Sequence, residues 1–320
     1  MKKILTLLTV ILSLILIPNG VMAQESDVNL TVSPPVSYLH VAPGSNTTHT
    51  IVLENSGDTP ITVLPTLVDF TTDGKTGRAI VTNQLTFPYI SMGIDNTVKE
   101  VTIPPNKKAQ LTLYINVPVE AEEKEYPTTV LFFSKSELYK ANKQLSSNTN
   151  SQVTGAIGSN LIVLVSKQNT FTKVLEIIKT NSPKIIDSFQ KIEFSPLVKN
   201  NSFGAISASG SAKLVNWRKQ TIAEFQIYPD TILGHNSREL RALLSDSDPE
   251  KPELGSFSFK SKFLLGPYQI VITLVDENNN LISQYVDVFY ALPLAIILAI
   301  ILGTAIYSYF YKTKPKMTSL

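Results

Sequence analysis

The chain has 320 residues, of which 43% are hydrophobic and only 17% are charged, with 28 lysines and arginines against 26 aspartates and glutamates. The first 23 residues and the 32 from Phe289 onward hold five of the basic residues and no acidic one, so the 265 residues between them carry a net charge of −3. This charge excludes a basic nucleic-acid surface, and the absence of cysteine excludes disulfides, thiolate metal sites and a cysteine nucleophile.

The first 23 residues have the pattern of a secretory signal peptide. Lys2 and Lys3 precede an apolar run over Ile4–Ile17, and Val21-Met-Ala23 places small residues where a signal peptidase cleaves. We therefore predict cleavage after Ala23. The alternative interpretation is an uncleaved N-terminal anchor.

From Val28 to Val165, apolar and polar residues alternate with the period of two that half-buried β-strands have. Turn sequences rich in proline, glycine and asparagine separate these runs, a spacing typical of antiparallel sandwiches. The sequence therefore predicts an all-β protein whose residues 24–168 form a first Ig-like β-sandwich. Its predicted strands include Thr48–Glu54, Pro60–Phe70, Leu111–Val117 and Leu161–Val165.

The polar stretch Ser134–Gln152, rich in serine, asparagine and lysine, interrupts this alternation. It lies between two strand-like runs and is interpreted as a long hairpin tip. Long loops in compact domains are either functional or disordered, and both interpretations stay open for this one.

The second half repeats the pattern, and we predict a second Ig-like β-sandwich over residues 169–288. The boundary is placed near Ser166–Thr170, where an apolar run ends in polar residues. Residues 276–280, Asp-Glu-Asn-Asn-Asn, are predicted to form a hairpin turn. The predicted strands are Lys173–Lys179, Lys191–Phe194, Ala212–Asn216, Thr221–Tyr228, Tyr268–Val275 and Ile282–Val288.

The segment Phe289–Tyr311 contains 23 residues without a charge, enough as a helix to span a hydrocarbon core of about 30 Å. Aromatic residues lie at both of its ends, as at membrane interfaces. Three lysines occur in the tail, residues 312–320, so the positive-inside rule places the C-terminus in the cytoplasm. We predict one transmembrane helix over 289–311, with both sandwiches outside the cell membrane.

No catalytic constellation is visible in the sequence, and we predict neither an enzyme nor a cofactor site. Ser188-Phe-Gln-Lys191 fits the S-x-x-K pattern, but that pattern needs a helix and this sequence is strand-like. His40, His49 and His235 lack metal-site spacing. His40 and His49 flank one turn and could meet, but surface polar residues are the preferred interpretation.

Two further groups of residues have a functional interpretation as an alternative to a structural one. Asp69, Asp73 and the run 276–280 offer oxygen ligands for calcium, although turns favour the same residue types for backbone reasons. We predict no metal site. Trp217, the only tryptophan, is interpreted as a core residue of a strand, the alternative being an exposed ring that stacks on a glycan beside Arg218 and Lys219.

Short turn and strand motifs recur along both halves of the chain. Those in the first half are Val41-Ala-Pro-Gly44, Asn55–Asp58, Ile103-Pro-Pro-Asn106, Leu111–Pro118 and Tyr126–Phe133. Those in the second half are Val198–Phe203, Ile232–Glu239 and Gly266-Pro-Tyr268. In these motifs the chain resembles the WxL-interacting proteins of Gram-positive envelopes over its whole length, and its first domain is more distantly similar to the N-terminal domain of pilus chaperones.

The WxL-interacting resemblance implies a non-enzymatic, membrane-anchored surface protein that binds peptidoglycan, a wall glycan or another surface protein. The pilus-chaperone resemblance implies the alternative, an assembly factor that receives a strand from an exported subunit at a sheet edge. Pilus chaperones pair basic residues in the cleft between their domains. Here Lys75, Arg78, Lys107 and Lys108 lie in turn-like sequence without such a pairing. The edge strands of the first domain and the 134–152 tip are the expected binding surfaces.

Overall fold

The computed structural model describes residues 29–135, 156–168, 171–244, 253–276 and 278–312. The predicted signal peptide, nearly all of the 134–152 tip and the lysine-containing tail lie outside these residues.

The described chain is predominantly β. Its strands are β1 (Leu30–Ser33), β2 (Val36–Val41), β3 (Asn46–Asn55), β4 (Ile61–Thr72), β5 (Ala79–Val81), β6 (Ile90–Met92), β7 (Val101–Ile103), β8 (Lys107–Asn116), β9 (Lys124–Ser134), β10 (Ala156–Val165), β11 (Leu175–Lys179), β12 (Ile185–Asp187), β13 (Ile192–Phe194), β14 (Leu197–Asn200), β15 (Ile206–Asn216), β16 (Thr221–Ile232), β17 (Ser237–Glu239), β18 (Ala242–Leu243), β19 (Leu254–Gly255), β20 (Phe257–Phe259), β21 (Gly266–Val275) and β22 (Leu281–Leu292). A short 3₁₀ turn covers Ile94–Asn96, and one α-helix in the described chain, α1, covers Leu294–Lys312.

Strands β1–β10 form an Ig-like sandwich, which we call the N-terminal sandwich. One sheet has the order β1-β3-β8-β6, and the other has the order β2-β10-β9-β4-β5, with β7 also paired to β4. Because apolar and polar residues alternate along each strand, the apolar side chains lie on the inner face of each sheet. Ile51 and Leu113 of the first sheet belong to the same core as Val130 and Val163 of the second. All four of these side chains are fully buried.

Strands β11–β22 form the C-terminal sandwich and share no sheet with the described strands of the first. Its main sheet has the order β12-β22-β21-β15-β16-β18-β19, and two smaller sheets, β11-β14-β17 and β13-β20, cover it. Aromatic rings fill much of the core: Phe194 stacks on Phe257 at 5.1 Å between centroids, and Tyr268 stacks on Phe289 at 5.4 Å. The strands predicted in both halves are confirmed, as is the turn between β21 and β22.

Each sandwich is closed at one strand end by a buried asparagine. Asn200, which is fully buried at the end of β14, donates through Nδ2 to the Gly204 and Ile232 carbonyls, and its Oδ1 accepts from the Ser202 N–H. Asn55 makes the same set of bonds at the end of β3. One amide thus satisfies three main-chain groups that would otherwise be buried without partners.

Replacing Asn200 with alanine is expected to lower the free energy of unfolding by about 1–3 kcal/mol, because buried carbonyls lose their donor. The matched control is Asn201→Ala, whose Nδ2 donates to Glu176 at the exposed surface and whose loss is expected to cost under about 1 kcal/mol. Urea unfolding of the purified chain measures both. Equal losses in the two variants would contradict the role assigned to Asn200.

The two sandwiches contact each other through a small apolar cluster and several hydrogen bonds. Phe70 and Ile162 of the N-terminal sandwich pack against Leu233, which follows β16. The hydroxyl of Tyr38 donates to Thr231 Oγ1 at 3.0 Å. The β4–β5 turn also reaches across, where the Glu239 N–H donates to the Lys75 carbonyl at 2.6 Å. The segment from the end of β16 to β17 is therefore the main junction element of the C-terminal sandwich.

The C-terminal end of the second sandwich differs from the prediction. The helix predicted to begin at Phe289 begins at Leu294, because β22 continues to Leu292 with Phe289 and Ala291 buried in the core. The prediction is therefore wrong for residues 289–292. No helix in the described part of the chain combines the length and apolar character needed to cross a membrane.

Candidate functional site

Strand β10 is paired along its whole length on one side but along only part of its length on the other. Antiparallel β9 pairs with all of Ala156–Val165, whereas parallel β2 pairs with Asn160–Val165. The stretch Ala156–Ser159 consequently has an edge without a partner strand among the strands that the structure describes. A sheet edge of this kind presents main-chain donors and acceptors to an incoming strand.

The edge is open because the first strand segment changes sheets. β1 pairs with β3 in one sheet and β2 pairs with β10 in the other, and Pro34 and Pro35 join them. Prolines have no N–H group and do not extend a ladder. The Pro35 carbonyl accepts from the Asn160 N–H at 2.9 Å, and the Ser159 hydroxyl donates to the Pro34 carbonyl at 2.6 Å. The pairing of β10 with this segment ends at that point.

The register defines which groups face the open side. Since the Asn160 N–H points away from β9, and alternate residues of a strand direct their main-chain groups to the same side, Ala156 and Gly158 face the open edge. Ile157 then bonds to β9. The edge therefore offers two N–H and two C=O groups from Ala156 and Gly158.

The composition of this edge distinguishes it from a second open edge. β1 covers only Val52–Asn55 of β3, which leaves Asn46–Ile51 without a partner on that side among the described strands. That stretch is polar, and His49 Nε2 lies 3.2 Å from the Ser37 hydroxyl of β2. The β10 edge has no charge and no proline, the residues that natural proteins place on edges to prevent strand addition. It is therefore the better candidate for a binding edge.

A buried carboxyl group lies at the junction of the sandwiches, towards the opposite end of β10 from the open edge. Glu125 belongs to β9, opposite Leu164 of β10, and its Oε1 accepts from the Gly234 N–H of the C-terminal sandwich at 3.0 Å. Burial raises the pKa of Glu125 to about 7, although the backbone amides of Gly234 and Ala205 oppose the increase. The sequence alone did not single out this residue, because its burial depends on the second sandwich.

No known protein family matches the sequence, and no curated protein matches it. The similar solved structures include fimbrial chaperones. The class 5 fimbriae chaperone CfaA is 12% identical, with 82% of this chain and all of that chain covered and a TM-score of 0.41. The Pseudomonas aeruginosa CupB2 chaperone is 9% identical, with coverages of 82% and 100% and a TM-score of 0.36. The E. coli chaperone DraB is 11% identical, with 81% of this chain and 95% of that chain covered and a TM-score of 0.33.

At these identities the similarity concerns the fold alone. The distant resemblance of the first domain to pilus chaperones, read from the sequence, stays a prediction, because all three TM-scores lie below 0.5. Membership of the WxL-interacting family is not shown by any of the comparisons.

The basic residues considered for a chaperone-like cleft do not form a pair. Lys75 and Arg78 belong to the β4–β5 turn, whereas Lys107 and Lys108 begin β8. Lys108 forms an ion pair with Glu54 of the neighbouring β3 at 3.1 Å. The Lys75 ammonium lies 3.9 Å from the carboxylate of Glu239 in the C-terminal sandwich, so it pairs with a residue of this chain.

The carboxylates considered for calcium are used in local hydrogen bonds. Asp73 accepts from three N–H groups and the Thr76 hydroxyl of its own turn, which lower its pKa to about 2. Asp276 caps the β21–β22 turn, and hydrogen bonds from Asn280 lower its pKa. Asp69 accepts from a main-chain N–H at 2.6 Å. Within the described ranges, no group of three or more potential metal ligands occurs.

The histidines and the S-x-x-K residues considered from the sequence do not form a site either. His40 Nε2 lies 3.0 Å from the Ser166 hydroxyl, whereas His49 faces Ser37, so the two imidazoles have different partners. Ser188 lies fully buried in a turn after β12, outside any helix. Lys191 instead pairs with Glu193 at 2.7 Å. The helix that an S-x-x-K pair requires is absent at this position.

The prediction that Trp217 lies in the core is wrong. The side chain is 60% exposed at the turn between β15 and β16, and the Arg218 guanidinium lies 4.6 Å from the ring centroid. The turn is built by Asn216, whose Oδ1 accepts from the N–H groups of Arg218 and Gln220. An asparagine followed by four polar or aromatic residues is a signal for such a turn, and it overrides the apparent alternation.

Proposed function

We propose that the chain is a membrane-attached, extracytoplasmic assembly factor that holds an exported protein by adding one of its strands to the open edge of β10. The observation that carries this proposal is the uncharged, unpartnered edge at Ala156–Ser159. Main-chain pairing at such an edge supplies affinity with little dependence on the side chains of the client. A chaperone-like role is favoured over general surface binding because this edge offers main-chain donors and acceptors for pairing with a strand.

Attachment to the membrane is supported by the C-terminal segment. The side chains of α1 are apolar and largely exposed, with Leu298, Ile300 and Ile306 each between 57% and 60% accessible. An exposed apolar surface of this extent is unfavourable in water and is stabilised by contact with lipid. The N-terminal signal pattern favours export, which would place both sandwiches outside the cytoplasm.

The test is a photocrosslinking experiment on the full-length chain in its own envelope. A benzophenone amino acid replaces Val36, which is 42% exposed and pairs with Asn160 at the end of the open edge. The substitution Ala156→Pro removes one open-side donor and its ring obstructs a strand, so crosslinks to exported polypeptides are expected to fall about tenfold. Mass spectrometry of the crosslinked products measures the yield.

Two controls accompany this experiment. Ala156→Ser keeps the N–H group and is expected to retain the crosslinks, and a benzophenone at the exposed Thr48 on the polar edge of β3 is expected to give none. Unfolding curves of the Ala156→Pro and Ala156→Ser proteins must coincide. Equal crosslinking in these two variants would overturn strand addition at β10.

A further inference from the structure

Three loops at one end of the C-terminal sandwich present exposed apolar rings to solvent. They cover residues 188–190, 216–220 and 260–265, and together we call them the collar. Phe189 is 49% exposed, Trp217 is 60% exposed and Phe263 is 46% exposed, and Leu265 is exposed beside them. Large rings are normally buried, so their concentration on three separate loops indicates a contact surface.

The collar surrounds the point at which α1 leaves the sandwich. The Ser188 N–H donates to the Leu292 carbonyl, and the Leu264 N–H donates to the Ser188 carbonyl, both at 2.9 Å. The rings of Phe189 and Phe263 lie 5.5 Å apart between centroids. Two of the loops are therefore joined to the last residue of β22.

The third loop lies at the same end. β15 and β21 pair up to Asn216 and Tyr268, so the turn that carries Trp217 is beside the start of β21. A Cβ atom on Gly266 would lie 3.8 Å from Trp217 Cδ1, and Gly266 itself pairs with Ala291 of β22. All three loops are thus within a few residues of the start of α1.

The charges of the collar have one sign. Arg218, Lys219, Lys260 and Lys262 belong to its loops, and the three loops contain no aspartate or glutamate. The nearby Asp187 is engaged with the helix, since its Oδ2 accepts from the N–H of a residue in the first turn of α1 at 2.9 Å. This excess of positive charge lies within a part of the chain whose overall charge is negative.

From this arrangement we infer that the collar docks on the headgroup region of an anionic bilayer and holds the C-terminal sandwich against the membrane surface. Tryptophan, whose ring carries a polar N–H group, and lysines with long apolar stems are side chains that membrane interfaces favour, and Trp217, Lys260 and Lys262 supply them here. The collar is continuous with the apolar surface of α1, which places the lipid next to it. The inference rests on the membrane attachment proposed above and adds a second contact to it.

The single tryptophan is a built-in probe, because Trp217 is the only one in the sequence. The full-length chain is reconstituted in vesicles of phosphatidylcholine with phosphatidylglycerol, and in phosphatidylcholine alone. Lipids that carry a nitroxide near the headgroup are expected to quench Trp217 in the anionic vesicles, and strong salt is expected to reduce this quenching. Lipids with the nitroxide deep in the acyl chain should quench it less.

The charge dependence is tested with Lys260→Gln/Lys262→Gln. Each cation near an anionic surface contributes about fivefold to binding, so loss of both is expected to lower the ratio of docked to undocked molecules roughly 30-fold. The matched control is Lys107→Gln/Lys108→Gln, which removes the same charge from the N-terminal sandwich and is expected to leave the quenching unchanged. Circular dichroism confirms that both variants are folded.

Vesicle flotation separates failure of this inference from failure of the attachment. Flotation of the chain without quenching of Trp217 would overturn docking of the collar and leave the attachment intact. A chain that does not float would overturn both. Shielding of Trp217 from iodide by soluble peptidoglycan fragments, without quenching by the nitroxide lipids, would overturn the lipid assignment in favour of a glycan.

Discussion

Replacing Asp230 with asparagine is expected to lower the free energy of unfolding by about 3–5 kcal/mol, since a buried charge network loses its central partner. Asp230 is almost fully buried and lies between two guanidinium groups. Arg238 Nη2 is 2.7 Å from its Oδ1, and Arg241 contacts both carboxylate oxygens, with Nε 2.9 Å from Oδ2. With asparagine at this position, the two cations face each other without a counter-charge. Thermal and urea unfolding of the purified chain measure the loss.

The matched control for this prediction is an exposed ion pair on the same sheet. Lys213 and Glu224 lie 3.1 Å apart on neighbouring strands, with both side chains more than 40% exposed. Glu224→Gln is expected to cost under about 1 kcal/mol, because solvent screens the pair and the charges stay hydrated. A loss for Asp230→Asn as small as that of the control would show that the network contributes little to stability.

The second prediction with a large expected effect is that Glu125 makes the free energy of unfolding depend on pH. Its pKa is about 7 in the folded protein against an ordinary value of 4.5. The folded state therefore binds the proton more tightly than the unfolded state, so this contribution to stability is complete below about pH 4.5 and is lost as the pH rises through about 7. The difference corresponds to about 3 kcal/mol.

Glu125→Gln is expected to remove this dependence. Its stability should equal that of the unmodified chain near pH 4.5 and exceed it by about 3 kcal/mol at pH 8, because the amide is neutral at both pH values. Urea unfolding at the two pH values gives the comparison. Glu123→Gln is the control, since Glu123 is exposed and pairs with Lys167 at 3.5 Å. If Glu125→Gln shows the same pH dependence as the unmodified chain, the assignment of the titration to Glu125 is wrong.

The periodicity of the sequence was sufficient for the strands that it named, but it missed several short ones and was insufficient at one boundary. The apolar run that begins in β22 continues without a break into α1, so composition alone merged the end of the strand with the helix. The period of two in fact continues to the end of β22, where Asp287, Phe289 and Ala291 are buried and the intervening Val288 and Tyr290 are exposed. Pro293 then marks the change, because proline is well tolerated at the start of a helix and ends a strand.

The candidate site was predictable only in part. An edge strand of the first domain was expected as a binding surface, but its location depends on how far β2 pairs along β10, which is a matter of register. The prolines at 34 and 35 were the available signal, since they prevent the ladder from continuing. The burial of Glu125 was not predictable, because it is created by a loop of the other sandwich more than 100 residues away in the chain.

The short connection between β22 and α1 has a mechanical consequence. Only Pro293 separates Leu292 from Leu294, so there is no slack between the sandwich and the helix. β22 is held by antiparallel β21 along most of its length and by parallel β12 at its end. A pull on the helix along the strand axis loads these hydrogen bonds together in shear instead of opening them one by one. A force applied to the far end of the C-terminal sandwich would therefore reach the helix through a stiff connection.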